Sequence, residues 1–158
     1  MITNRDLECI GLFTGCVCPA GTDAAGIRGA WLWERHPARP ETVVALRRLV
    51  RRWTTATVVD EEIGESIVLV VDEAVSNAVE HAYRGPVGDV SLFAAPRPCG
   101  NGVVVVVEDQ GAWSPPDADP GFRGRGLDLV RELSDHHAVM GSALGTTVRM
   151  CWRALVTS

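Results

Sequence analysis

The chain has 158 residues, 46% hydrophobic and 22% charged, the proportions of a folded protein long enough to bury a core within about one domain. Its net charge of −5 and pI near 5.3 argue against the basic footprint of a nucleic-acid-binding protein, and no segment approaches the roughly 18 apolar residues of a membrane span. The five cysteines are an odd number without a CxxC pair, which supports neither a disulfide framework nor a zinc site and leads us to expect reduced thiols in the cytoplasm.

Residues 1–29 mix Gly, Cys and small residues without periodicity and are expected to be an irregular or mobile extension, with the domain in residues 30–158. Leu12-Phe13-Thr14-Gly15-Cys16 resembles a lipoprotein cleavage box, but Asp6 and Glu8 stand where a signal peptide needs roughly 7–15 apolar residues. Residues 30–34, with Trp31 and Trp33, predict a short edge strand that His36 and Pro37 break. Residues 41–54 then place Val44, Leu46, Leu49, Val50 and Trp53 near helical spacing. Arg47, Arg48, Arg51 and Arg52 lie opposite them, either as a solvated rim or as a partner-binding patch.

The stretch from about Asp60 to Gly85 predicts a long amphipathic helix, with Asp60, Glu61 and Glu62 at the positive end of its dipole. Ile63, Ile67, Val70, Val71, Ala74, Ala78 and Ala82 form its core stripe. On an adjacent face Glu73, Asn77, Glu80, His81 and Arg84 follow at steps of three and four. Such a polar stripe faces either water or a ligand.

Residues 85–88 stop that helix, residues 89–95 alternate as a strand, and residues 96–102 turn the chain back. The β-branched run Val103 to Val107 predicts an antiparallel strand near the centre of the sheet. A proline-rich loop at residues 112–121 precedes a short helix at residues 126–133, and residues 136–140 and 146–152 make a last hairpin. The order predicts a two-layer α+β sandwich, with helices on one face of a mixed, mostly antiparallel sheet.

Chemistry clusters at four places. They are the stretch Glu73-Ala-Val-Ser-Asn77-Ala-Val-Glu-His81-Ala-Tyr83, Asp109 with Gly111, Gly124-Arg125-Gly126 before an apolar helix, and Gly145-Thr146-Thr147 leading the last strand. In this order they resemble the Bergerat ATP-binding fold of gyrase, Hsp90-type chaperones and histidine-kinase ATPase domains. The first stretch is most similar to the anti-sigma factor and serine-protein kinase branch. The resemblance covers residues 40–153. One departure is Asp109-Gln-Gly111-Ala-Trp113, which lacks the second glycine of the histidine-kinase form; its Trp followed by prolines is similar to small stand-alone proteins of the anti-sigma branch. A histidine-kinase fragment is further disfavoured because no phosphoacceptor helix pair precedes the domain.

The residues themselves leave alternatives open. Asn77 has a carboxamide oxygen that can ligate a hard cation, or it bonds a neighbouring loop. Glu73, one turn earlier, can take a proton from a hydroxyl attacking a phosphate, or it pairs with Arg84 or an arginine of the first helix. Asp109 ends an apolar strand, where a carboxylate is costly to bury unpaired, although Asp-x-Gly also initiates turns. Gly124, Arg125, Gly126 and Leu127 offer backbone N–H groups at a helix start, as a phosphate cradle or simply as the start of a helix. Arg123 and Arg125 can add charge to it. Thr146 either supports a ligand through its hydroxyl or serves strand propensity. His81 and His137 are read as structural.

The resemblance implies more. Asn77 would hold Mg²⁺ on the phosphates of ATP, Glu73 would be the catalytic base, and Asp109 would accept a hydrogen bond from the adenine amino group. Gly111 would let the backbone approach the base, Thr146 would support the adenine, and residues 115–123 would form the lid. The protein would then bind Mg-ATP, sequester a sigma factor and phosphorylate a serine or threonine of an anti-anti-sigma (STAS-type) partner. A homodimer formed through the first helix or the Trp31–Trp33 edge would also be in keeping with the branch. The alternative is a nucleotide-dependent binding module without kinase activity.

Overall fold

The structure, a computed structural model, describes residues 31–83, 85–97, 102–111 and 125–157. Among these, five strands and three helices follow the order β1 (Leu32–Pro37), α1 (Pro40–Thr57), α2 (Glu61–His81), β2 (Asp89–Pro96), β3 (Val103–Asp109), α3 (Arg125–Leu133), β4 (His136–Ser142) and β5 (Gly145–Trp152). The sheet runs β1-β2-β3-β5-β4. All four pairings are antiparallel, so the sheet has no parallel component.

The valine run occupies the middle strand. Val103, Val105 and Val107 face the helices and are almost wholly buried, whereas Val104 joins Ala95 and Cys151 in a small cluster on the opposite face. Helix α2 lies over the sheet with Ile67, Val70, Val71, Ala74, Val75 and Ala78 buried. Leu46, Val50 and Trp53 of α1 complete the same core. Each buried Val, Leu or Ile side chain among them contributes about 1.5–3 kcal/mol by leaving water.

Local chemistry explains most of the boundaries. Asp60 caps α2, its carboxylate accepting from the N–H groups of Glu62 and Ile63 at 3.0 and 3.2 Å, and so satisfies two donors of the first turn. Pro40 opens α1, where its missing N–H costs nothing. Two of the four arginines on α1 tie the helices together. Arg47 grips Asp72 with bonds of 2.6 and 2.8 Å, and Arg51 reaches Glu65 at 3.2 Å, so the cluster is only partly a solvated rim.

Two expected ends moved. The edge strand runs through His36 and Pro37 instead of breaking there, because register with β2 continues to Asp89 and an edge position tolerates a proline. Helix α2 ends at His81, short of Gly85, with Tyr83 drawn into bonds outside the helix. The expected extension at residues 1–29 lies outside the described residues.

Candidate functional site

The polar stripe of α2 meets the start of α3. Glu73 and Asn77 are half-buried and Gly126, in the first turn of α3, is buried. A β-carbon on Gly126 would stand 3.0 Å from Glu73 Oε2 and 3.0 Å from Asn77 Nδ2. The start of α3 therefore packs closely on both side chains, and a larger residue would make their ends give by a few tenths of an ångström. The first N–H groups of a helix have no intrahelical partners and carry the positive end of its dipole. Two oxygen-bearing side chains and the backbone N–H groups of a helix start are thus side by side, with Leu127 half-buried next to them.

The second part of the site sits at the end of β3. Asp109 belongs to that strand's helix-facing side and is only 7% exposed. Its Oδ1 accepts from the Gly111 N–H at 2.9 Å and from the Thr146 N–H at 3.3 Å, across the register pair of β3 and β5. Burial raises its pKa above the ordinary carboxylate range, while the N–H groups of Gly111 and Thr146 and the Thr146 hydroxyl pull it back. Among the described residues no cationic side chain is bonded to it, and an ionised carboxylate accepts more bonds than these. Capacity for a further donor remains.

Gly111 joins this part to the first. A β-carbon there would fall 1.9 Å from the carbonyl oxygen of Ala82, so the turn after Asp109 rests directly on the C-terminal end of α2. Helix α2 therefore carries the Glu73–Asn77 pair against α3 and, beyond its last turn, supports the turn that begins at Asp109.

Tyr83 completes the junction, and the sequence reading assigned it no role. Its hydroxyl donates to the Asp89 carbonyl at 2.5 Å and accepts from the Gln110 N–H at 2.9 Å. Burial raises the phenol pKa, and the nearby Asp109 and Asp89 carboxylates add to this against the Gln110 N–H, so the group is a neutral donor at physiological pH. Being the single tyrosine of the chain, at the foot of a helix, was its only visible signal.

Other expected members are placed differently. Arg123, Gly124, Arg84 and residues 115–123 lie outside the described residues, and Arg125 is described as the first residue of α3 without its side chain. Glu73 makes no pair with a first-helix arginine, since Arg47 takes the neighbouring Asp72. His81 and His137 are exposed. A recess of about 310 Å³ borders Asp109 but opens along the β4–β5 hairpin between Glu108, Met140 and Leu144. Neither Glu73 nor Asn77 lines it. It lacks the paired donors found between α2 and α3, and we place the candidate site at the latter.

A family model described as a histidine kinase-like ATPase domain matches residues 36–152. The chain belongs to this family. Among solved structures it is similar to the RsbU and RsbW domains of Rv1364c from Mycobacterium tuberculosis, at 27% identity and a TM-score of 0.65, over 82% of this chain and 34% of that one. It is also similar to the histidine kinase domain of the blue-light activated histidine kinase EL346 from Erythrobacter litoralis, at 30% identity and a TM-score of 0.51, over 59% of this chain and 45% of that one. The chain thus spans less than half the length of either. The three helices on an open five-stranded antiparallel sheet are the Bergerat ATPase fold.

The donor set fits the nucleotide that this family generally binds. Among the described residues no group of three acidic, His or Cys side chains could hold a metal ion unaided. Mg²⁺ usually keeps waters and substrate phosphates in its shell, so Asn77 with one oxygen can suffice when the ion arrives with ATP. Asp109, with acceptor capacity left, suits an amino group.

Proposed function

We propose that this ATPase-type domain is a regulatory ATP-binding protein of the anti-sigma type, acting as a serine/threonine kinase on an anti-anti-sigma partner and sequestering a sigma factor. The observation that carries the reading is the contact of Gly126 with Glu73 and Asn77, which brings a possible base, a metal-binding oxygen and backbone phosphate donors to one spot. Similarity to a structure containing an RsbW domain, together with the likeness of the 73–83 stretch to the anti-sigma branch, supports the choice of partner class.

Asn77 would hold Mg²⁺, whose chemistry is to neutralise charge on the phosphates. Asp109 and Thr146 would take the adenine, with Gly111 allowing close approach. Gly124, Arg125, Gly126 and Leu127 would cradle the phosphates, with Arg123 adding charge. Glu73 would accept the proton of the partner's hydroxyl as its oxygen bonds to the γ-phosphorus and the bond to ADP breaks. The transferred group adds about −1.5 to −2 of charge to the partner, which is enough to alter its docking. The exposed Trp31 and Trp33 beside the β1 edge are where a second copy would pair.

The test combines the protein, labelled Mg-ATP and a STAS-type substrate. Label is expected on a serine or threonine of the partner. Glu73→Ala should cut transfer by about 10²–10⁴-fold, the usual contribution of a general base, while ATP affinity stays within a few fold. ATP binding without any transfer by the wild type would remove the kinase role and leave a nucleotide-dependent binding module.

A further inference from the structure

Three separate segments converge on one hydroxyl. Tyr83 lies just beyond α2, Asp89 opens β2, and Gln110 stands between Asp109 and Gly111 at the end of β3. The Tyr83 ring packs on Gly88 so closely that a β-carbon there would lie 2.2 Å from Cε1. Its hydroxyl meets the Asp89 carbonyl and the Gln110 N–H together. The β3 register ends at Asp109, so Gln110 has passed out of the sheet ladder and its N–H is held by the phenol instead.

We infer that Tyr83 is a positioning residue for base recognition, its hydroxyl fixing the Asp109–Gln110–Gly111 turn to the foot of α2 so that the Asp109 carboxylate is aimed before nucleotide arrives. This rests on the reading of Asp109 as the adenine contact. Hydrogen bonds weaken steeply with misalignment, so a turn free to shift would lose part of that contact on binding. Tyr83 acts on the base end alone, because Glu73 and Asn77 lie earlier on α2, on the stripe facing α3.

Tyr83→Phe keeps the ring on Gly88 and deletes only the hydroxyl. The measurement is the affinity of adenosine and of Mg-ATP for wild type and variant. We expect both to weaken about fivefold, the size of one neutral hydrogen bond, leaving the ratio between the two ligands unchanged. A structural defect spread through the site would change that ratio, as would loss of a phosphate contact. Adenosine affinity equal to wild type in folded Tyr83→Phe overturns the positioning role while Mg-ATP binding by wild type leaves the Asp109 reading standing. A wild type that binds neither ligand removes both.

A second measurement needs no variant. Since the chain has one tyrosine, protein grown on 3-fluorotyrosine carries a single ¹⁹F resonance. Saturating adenosine is expected to shift it; a resonance unmoved by bound adenosine contradicts the coupling.

Discussion

Asp109, the residue we propose reads the adenine, is held at some cost to stability. Its pKa is raised by burial, so the folded protein holds this proton more tightly than the unfolded chain. The sign of the linkage follows: the favourable contribution is complete below the unfolded-state pKa and is lost as pH rises through the higher folded one. At neutral pH the charged carboxylate is a burden that two N–H groups relieve only in part. Asp109→Asn keeps an acceptor for Gly111 and Thr146 without the charge. It should raise Tm at pH 7 and leave Tm unchanged near pH 3. Adenine binding should fall at the same time. Thermal melts across pH decide this, and a variant less stable than wild type at neutral pH would contradict it. Asp109 was visible in the sequence because a carboxylate closing a run of valines needs a reason. Tyr83 was not, since its partners are backbone atoms of Asp89 and Gln110, which no side-chain pattern reveals.

At the scale of elements, the candidate site rests on two helices that touch through a glycine. Gly126→Ala should be neutral or slightly stabilising for α3, where alanine gains up to about 1 kcal/mol over glycine within a helix. The new methyl would displace Glu73 Oε2 and Asn77 Nδ2, so Mg-ATP affinity should drop at least tenfold. Melting and titration of the same sample separate these effects. Wild-type affinity in that variant would mean that ATP does not use the Glu73–Asn77 end of α2. Helical periodicity exposed both faces of α2, because its core stripe and polar stripe repeat over 21 residues. Its end was less visible: Ala82 and Tyr83 continue the apolar pattern, yet Tyr83 lies past the last turn, bonded to Asp89 and Gln110. The β1 strand was likewise underestimated, since its continuation through Pro37 depends on a partner distant in sequence.

For the molecule as a whole, the layer order was readable from the alternation of helical and β-branched stretches. The register was not. Pairing of β3 with β5 joins residues separated in sequence by α3 and β4, and it is this pairing that puts the Thr146 N–H on Asp109. The Arg47–Asp72 grip between α1 and α2 was similarly hidden, because charges on two helices pair only after the helices pack.

The central claim is that α2 organises one nucleotide site with a base end at Asp109 and a metal end at Asn77. Calorimetric titration with ATP, ADP and GTP, with and without Mg²⁺, tests it on wild type, Asp109→Ala and Asn77→Ala. ATP should bind in preference to GTP, with affinity down about 10–100-fold in Asp109→Ala, as for loss of a charged hydrogen bond, and the Mg²⁺ dependence gone in Asn77→Ala. A folded wild type that binds no adenine nucleotide would contradict the account and leave the α2 contacts with Gly126 and Gly111 as scaffold only.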